Sequence, residues 1–545
     1  MTRIFLLLAI ATSLAIGMTV VRHEQVRACG AAGPYDFDTF EVENYVAGYA
    51  TAIELATAGK ALTSTYPVGS EVIDVRYQGL KSGPRVSRSA ENTSLRVPPT
   101  VYKSIAWVES NWANGMASVP YGGVGPTLRA DDCGYGLGQV TSGMSSTTGV
   151  PTAKQAAIGT HYLVNLAEGM RIFAEKWNSA PKFRPIAGTG NPAIIEDWYF
   201  AIWSYNGFAY SNHPLNPLRD PLRGGGQSPM YHCQDPAAAS FQGNNGVPKF
   251  GYGDYTYPER VYGCMQYPPT TKLPGASVAT RLYAKQDVNM PDFTIEQIAK
   301  AFEVNNFTDC EMAGFSGGCP AMDFPTALPD KKITPHADNT PAVDPAKAAA
   351  ILGAPVLAYT GSSAANFTVL ANGSVNSVQV VVENIGSGVG PFRIRSSAPW
   401  IVARHAGDGE GRTLDGGVTV GSEIQVVTQS PRVDRPRLAV PGYKSTVNIT
   451  VVPTLMPAGN STGTLFIEPL LGPGAAFTLS ITAFRPEIIS TPTATRTATA
   501  TSTATAPGAS GTPAKTATPS PTPIPTPTPD PYPFKAVAAN LGKDE

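Results

Sequence analysis

The sequence predicts a multidomain protein: a mainly α region, then an all-β sandwich, then a disordered tail rich in Thr and Pro. Three observations predict this. Apolar residues recur at helical spacing along three segments of the first half. After residue 346 the period changes to two, in β-branched runs separated by Gly and Pro. Residues 486–532 are Thr/Pro/Ala low complexity, ending in alternating Thr and Pro, and such a segment buries no core and stays extended. At 545 residues the chain also exceeds one ordinary domain.

The elements follow in order. Residues 1–28 read as an export signal: Arg3 precedes an apolar run from Ile4 to Val21, and Val26-Arg27-Ala28 offers a cleavage site. Two alternatives put a tether at this end: retention of the apolar segment in a membrane, or lipidation of Cys29, for which Arg27 is a poor neighbour. Residues 29–97 form an N-terminal extension with one expected helix from Phe40 to Leu62. Residues 98–325 are helical with long Gly/Pro/Asn-rich loops, residues 326–345 link, residues 346–485 form the sandwich and residues 486–545 the tail.

Charge and cysteines bound the function. Lys+Arg 40 against Asp+Glu 41 leaves no field that would gather nucleic acid or an anionic membrane. The six cysteines, Cys29, Cys133, Cys233, Cys264, Cys310 and Cys319, are even in number and lack CxxC spacing, so they point to disulfides and not to zinc. Cys310 and Cys319 bracket a short Gly-rich loop and are expected to pair. Cys233 with Cys264, and Cys29 with Cys133 by elimination, complete one of fifteen connectivities among which sequence does not choose. No metal site and no cofactor motif is expected, and His161 and His232 read as structural.

The segment from Ser94 to Trp112 is the most informative. Pro98 and Pro99 suit a helix start, where a missing N–H costs nothing. Val101, Ile105, Val108 and Trp112 step four, three and four, which makes one buried face. Glu109 sits on the edge of that face, flanked by Trp107 and Trp112. A carboxyl held against indole and aliphatic surface loses hydration, so its pKa rises. That is what a general acid needs near neutral pH. Two further stripes accompany it: Leu163, Leu166, Met170, Phe173 and Trp177, and Ile195, Trp198, Ile202 and Tyr205, with Asn206-Gly207 as a stop.

The order along the chain is Glu109-Ser110, Ser118, Gly134-Tyr-Gly-Leu-Gly-Gln139, Gly159-Thr-His-Tyr-Leu163, Ser204-Tyr-Asn-Gly207 and Tyr257-Pro-Glu-Arg-Val-Tyr262. This resembles the lysozyme-like soluble lytic transglycosylases, whose core has a Glu-Ser helix, a serine nine residues on, a Gly-Leu-Met-Gln loop and an Ala-Tyr-Asn-Ala-Gly motif. The resemblance covers roughly residues 97–261. It departs at Gly138, where the family has Met, and in a Pro/Gly-rich insertion over about residues 212–255.

The resemblance implies a lysozyme-like α domain that cleaves the β-1,4 bond between N-acetylmuramic acid and N-acetylglucosamine in peptidoglycan. Glu109 would protonate the glycosidic oxygen, then act as base on the sugar's own 6-hydroxyl and close a 1,6-anhydro ring. Ser118, Gln139, Tyr205 and Asn206 would bind the glycan. Each also has an ordinary reading: Tyr205 as a core tyrosine, Gln139 as a backbone bridge in a tight loop. Asp131 and Asp132 precede a loop that is also similar to that of goose-type lysozymes. Either would serve as a second carboxylate for hydrolysis, though loop capping is the ordinary reading.

In residues 346–485, Ser396-Ser-Ala-Pro-Trp-Ile-Val402 and the run from Pro453 to Ile467 resemble the immunoglobulin-like BACON domain. Trp400 is read as a core anchor and the domain as a spacer. The expected protein is thus an exported monomeric enzyme at the cell surface with peptidoglycan as partner. The competing reading is a surface protein that binds glycan without cutting it.

Overall fold

The computed structural model describes residues 29, 34–84, 87–145, 151–180, 186–207, 230–234, 252, 255–271, 277–291, 334–370, 373–386, 388–405, 422–428, 444–472 and 474–487. The export signal, the Cys310–Cys319 pairing and the Thr/Pro tail lie outside the described residues.

The first unit mixes helices with short sheets. Its helices are α1 (Thr51–Thr57), α2 (Pro99–Ser110), α3 (Ala153–Thr160), α4 (Tyr162–Asn178), α5 (Tyr199–Tyr205) and α6 (Tyr257–Gln266). Strands β1 (Asp38–Phe40) and β4 (Val124–Pro126) pair antiparallel, as do β2 (Tyr66–Val68) with β3 (Glu71–Ile73) and β5 (Thr270–Thr271) with β6 (Thr280–Arg281). The helix expected from Phe40 is preceded by strand β1 and begins as a π-helical turn at Val46–Ala50. Glu41 explains the late start. Its carboxylate accepts from Tyr45 and Tyr49 and from the backbone N–H of Asn114 and Gly115, which holds this stretch against the loop after α2.

The helix ends follow local chemistry. Pro99 opens α2, and Asn111 closes it at φ 51°. Thr152 and Gln155 form a capping box on α3, and Thr256 and Glu259 form one on α6. The stripe along α4 is buried from Leu163 to Trp177, and Phe173 and Trp177 both stack on Trp198.

The second unit follows α7 (Pro345–Ile351). Its strands are β7 (Leu357–Thr360), β8 (Ala364–Thr368), β9 (Val378–Asn384), β10 (Val389–Ser396), β11 (Ile401–His405), β12 (Ser422–Thr428), β13 (Lys444–Val451), β14 (Gly459–Pro469) and β15 (Phe477–Arg485). They make a five-stranded sheet in the order β12-β10-β14-β15-β8 and a four-stranded sheet in the order β11-β13-β9-β7. All pairings are antiparallel except β15 with β8, which run parallel. Facing pairs such as Ile394 with Ile467 and Leu465 with Leu479 set the register, and Trp400 lies in the core between the sheets.

The fold class expected from sequence needs correction. The chain combines α and β throughout, with three small sheets inside the helical unit, and its longest regular structure is the nine-stranded sandwich. It is not a mainly α lysozyme-like domain with a β appendage. Helical periodicity reports which face of a segment is buried; it does not report the short strands between helices, which are held by long-range partners such as Glu41.

The sandwich is docked. Val389, Leu470 and Leu471 belong to the same apolar cluster as the helical unit. Arg393 on β10 pairs with Glu468 on β14 and reaches across to Glu71 on β3. Residues 334–344 run over the helical unit, where Asp338 accepts from the Thr100 N–H and His336 pairs with the buried Glu196.

Among the described residues two disulfides are present, Cys29–Cys133 and Cys233–Cys264. The sulfur that a lipid would take on Cys29 is thus already bonded. Among the described residues no helix is long and apolar enough to cross a membrane. Both facts are compatible with an exported protein.

Candidate active site

Glu109 is the penultimate residue of α2 and half-buried. The tyrosine hydroxyl of Tyr257, near the start of α6, donates to its Oε1 at 2.5 Å. Burial pushes the Glu109 carboxyl up to about 7; the Tyr257 hydrogen bond and the Arg260 charge pull it down, and the Asp132 charge pushes it further up. Burial and the neighbouring Glu109 hold the Tyr257 hydroxyl well above its usual range, so it stays a proton donor.

The backbone around this carboxyl is strained. Five non-glycine residues have positive φ among the described residues, and four of them, Asn111, Trp112, Cys133 and Gln139, flank Glu109 or form the loop beside it. Each such residue costs on the order of 1–3 kcal/mol and persists only where its surroundings over-determine it. Here they do. Trp112 is fully buried and its indole N–H donates to the Lys103 carbonyl. Cys133 is fixed by its disulfide.

Buried amides hold the loop of residues 134–140. Ser110 Oγ donates to the Leu137 carbonyl, which ties α2 to the loop. Asn165 on α4 accepts from the Gly138 N–H at 2.8 Å and donates to the Tyr135 carbonyl at 2.7 Å. Asn114 accepts from the Leu137 N–H. Sequence reasoning missed Asn114, Asn165, Glu41 and Tyr257. An isolated polar residue inside an apolar stripe was the available signal for Asn165, and the position of Tyr257 in its motif was the signal for that residue.

The expected site residues separate into two groups. Tyr205 comes close: its hydroxyl donates to the Gly138 carbonyl at 2.8 Å, lies 3.3 Å from the Tyr102 hydroxyl, and is pushed up by burial, by Tyr102 and by Glu109. Gln139 donates to the Gly136 carbonyl at 2.8 Å, so its amide is engaged in bracing the turn. Asp132 is exposed and accepts from the Gly134 N–H at 3.0 Å, yet its charge acts on Glu109. Ser118 and Asp131 are exposed, and exposed Asn206 caps α5. His161 caps α4, accepting from the Leu163 N–H, and burial lowers its pKa to about 3. His232 stacks on Tyr267.

Gly138 has a local reason. A Cβ there would lie 3.0 Å from the Tyr102 hydroxyl and 3.4 Å from that of Tyr205. The paired tyrosines fill the space a larger side chain would take. Among the described residues no group of His, Cys, Asp and Glu is placed to hold a metal ion.

No family model matches the chain, and no curated protein does. Solved structures do match in part. A Porphyromonas gingivalis protein of unknown function matches with 15% identity and a TM-score of 0.16, over 24% of this chain and 48% of that one. The periplasmic chaperone SfaE matches with 16% identity and a TM-score of 0.13, over 24% and 58%. A PapD-like domain of human CEP192 matches with 12% identity and a TM-score of 0.14, over 29% and 99%. The chain thus spans about half the length of the first of these. The expected memberships of the soluble lytic transglycosylases and of the BACON domains are corrected: short motifs in the right order gave a resemblance that no family model reproduces.

Proposed function

We propose that this protein is an exported enzyme that cleaves a glycosidic bond of peptidoglycan, with Glu109 as general acid and then base. The observation that carries the reading is the Glu109 carboxyl itself, desolvated to a pKa of about 7 and held by Tyr257. A carboxyl of that pKa is half-protonated at neutral pH, so it gives a proton to a leaving oxygen and takes one back in the next step. Tyr257 fixes the carboxyl's orientation and leaves its second oxygen for the substrate. The Tyr205 hydroxyl, in the same charge environment, is placed to steady the loop that the sugar would meet.

Among glycan cleavages, the one-carboxyl route is favoured for the bond between N-acetylmuramic acid and N-acetylglucosamine. The sugar's 6-hydroxyl attacks as Glu109 removes its proton, closing a 1,6-anhydro ring. The second reading is hydrolysis, in which Asp132 positions a water; its charge acting on Glu109 supports that reading. Export through the N-terminal apolar segment and residence outside the cell complete the proposal. The test is mass spectrometry of purified peptidoglycan treated with the protein. Fragments one water lighter than reducing-end products support the anhydro route; ordinary reducing ends support hydrolysis; absence of cleavage with retained wall binding overturns the enzyme reading.

A further inference from the structure

Next to Glu109 lies a wall that the proposed acid chemistry does not use. Tyr257 and Arg260 are three residues apart on α6 and so share a face. The Arg260 guanidinium lies over the Tyr252 ring, 4.1 Å from its centroid. Tyr252 meets Tyr231 edge-on at 5.1 Å, and Tyr231 meets Tyr255 at 5.2 Å. The segment carrying Tyr231 is fastened to α6 twice. The Tyr231 N–H donates to the Glu259 carbonyl, and Cys233 is bonded to Cys264. Gly263 permits the approach, because a Cβ there would collide with the Tyr231 backbone.

Arg260 has no carboxylate partner among the described residues. Among the described residues no carboxylate lies within ion-pair distance of it, and its buried Nε has no hydrogen-bond partner. Its charge is nevertheless close enough to act on Glu109, Tyr252 and Tyr231. A partly desolvated guanidinium held by a tyrosine and facing no carboxylate among the described residues is incompletely balanced, and its planar fork matches a carboxylate. The half-buried Tyr231 and Tyr252 rings beside it add aromatic surface that a sugar ring can meet.

We propose that Arg260, with Tyr252 and Tyr231, forms a subsite for a carboxylate-bearing sugar beside the bond that Glu109 cleaves, so that the protein selects acidic over neutral amino-sugar glycans. This rests on the glycan-cleaving reading above. The carboxylate is either the lactyl group of a peptide-free N-acetylmuramic acid or a carboxylate of its peptide stem.

The test measures binding, independent of turnover, by calorimetry on the full chain carrying Glu109→Gln. Three ligands of equal sugar length are compared: a peptide-free muramic-acid tetrasaccharide, the same glycan bearing its stems, and neutral chitotetraose. One of the acidic ligands is expected to bind more tightly than chitotetraose, and which one identifies the source of the carboxylate. Adding Arg260→Ala is expected to weaken that ligand by about tenfold to a hundredfold, the range of a charge-assisted hydrogen bond pair, and chitotetraose by less than about threefold. Methyl-esterifying the ligand's carboxylates should reproduce the loss on the protein with Arg260 intact, which keeps the test valid if the alanine variant folds poorly. Equal affinity for all three ligands, an equal loss for all three, or no loss on esterification would overturn the subsite. Arg260-dependent binding without cleavage by the unaltered protein would keep the subsite and sink the catalytic reading. Cleavage with no preference for acid would do the reverse.

Discussion

The two units of this molecule bury polar groups in opposite ways. The helical unit is laced with them. Glu41, Asn114, Asn165, Glu168 and Glu196 are all nearly inaccessible and all engaged. The sandwich core is aliphatic and aromatic, and the charged cluster of Arg393, Arg395 and Glu468 reaches the helical unit through Arg393 and Glu71. A satisfied buried polar network fixes geometry more than it adds stability, whereas an apolar core adds stability and tolerates repacking. The unit that must hold one carboxyl against two tyrosines and a strained loop is the one that uses networks.

The comparison can be broken first at Glu109. Glu109→Gln is expected to lower turnover by about a hundredfold to ten-thousandfold, the usual contribution of a general acid, in product release from peptidoglycan. The same variant should not lose stability at neutral pH. The folded carboxyl titrates at about 7, above the 4.5 of a free glutamate, so its favourable contribution is complete below 4.5 and is lost as pH rises through 7. The melting temperature of the variant relative to the unaltered protein should therefore rise between pH 4.5 and pH 8. A difference that falls over that range would mean the carboxyl is not desolvated.

The junction comes next. Arg393→Met leaves Glu468 and Glu71 without their shared partner and is expected to cost about 3–5 kcal/mol in denaturant unfolding. Glu468 is buried, which opposes its ionisation, but hydrogen bonds from Arg395 and Arg393 outweigh that and hold it below the ordinary carboxylate range. The contribution of this cluster is thus present above the unfolded pKa and lost as pH falls through the folded one. A loss of sandwich stability alone, with the helical unit unmoved, would show that the docking adds nothing.

Asn165→Leu removes the brace under the loop of residues 134–140. It is expected to cost about 1–3 kcal/mol by leaving the Gly138 N–H and the Tyr135 carbonyl unpaired, and to lower turnover while sparing the sandwich. The smallest effects are shifts of the alkaline limb of the pH–rate profile, which lies near 7. Tyr257→Phe removes an interaction that favours the charged carboxyl, so the limb should move up. Asp132→Asn removes a repelling charge, so it should move down. Opposite signs would assign the proton to another group.

Parts of this molecule were legible in the sequence for a simple reason: they depend on neighbours in the chain. The stripe of Val101, Ile105 and Val108 makes a helix wherever it is placed, and it ends where Asn111 can adopt a left-handed backbone. The β-branched run of Val378–Asn384 alternates in burial because consecutive strand residues face opposite ways. The raised pKa of Glu109 was expected from its place at the edge of the apolar helix face, although the side chains that the structure puts at the carboxyl come from elsewhere in the chain.

What depends on distant partners was not legible. Gln139 and Asn206 carried the right residue types, but one amide is engaged in its own turn and the other residue caps an exposed helix end. Tyr257 reaches Glu109 across 148 positions; its motif marks the residue, but only the fold brings it to the acid. The family resemblance failed for the same reason: motif order along the chain does not fix how segments pack. By itself the sequence determined the long helices of the first half, the alternating strands of the second, and the edge position of Glu109 on its helix. Only the tertiary structure decided that small sheets thread the helical unit, that the sandwich docks through Arg393, and that Tyr257 and Arg260 stand beside the acid, because contacts between residues far apart in the chain form only when the whole fold brings them together.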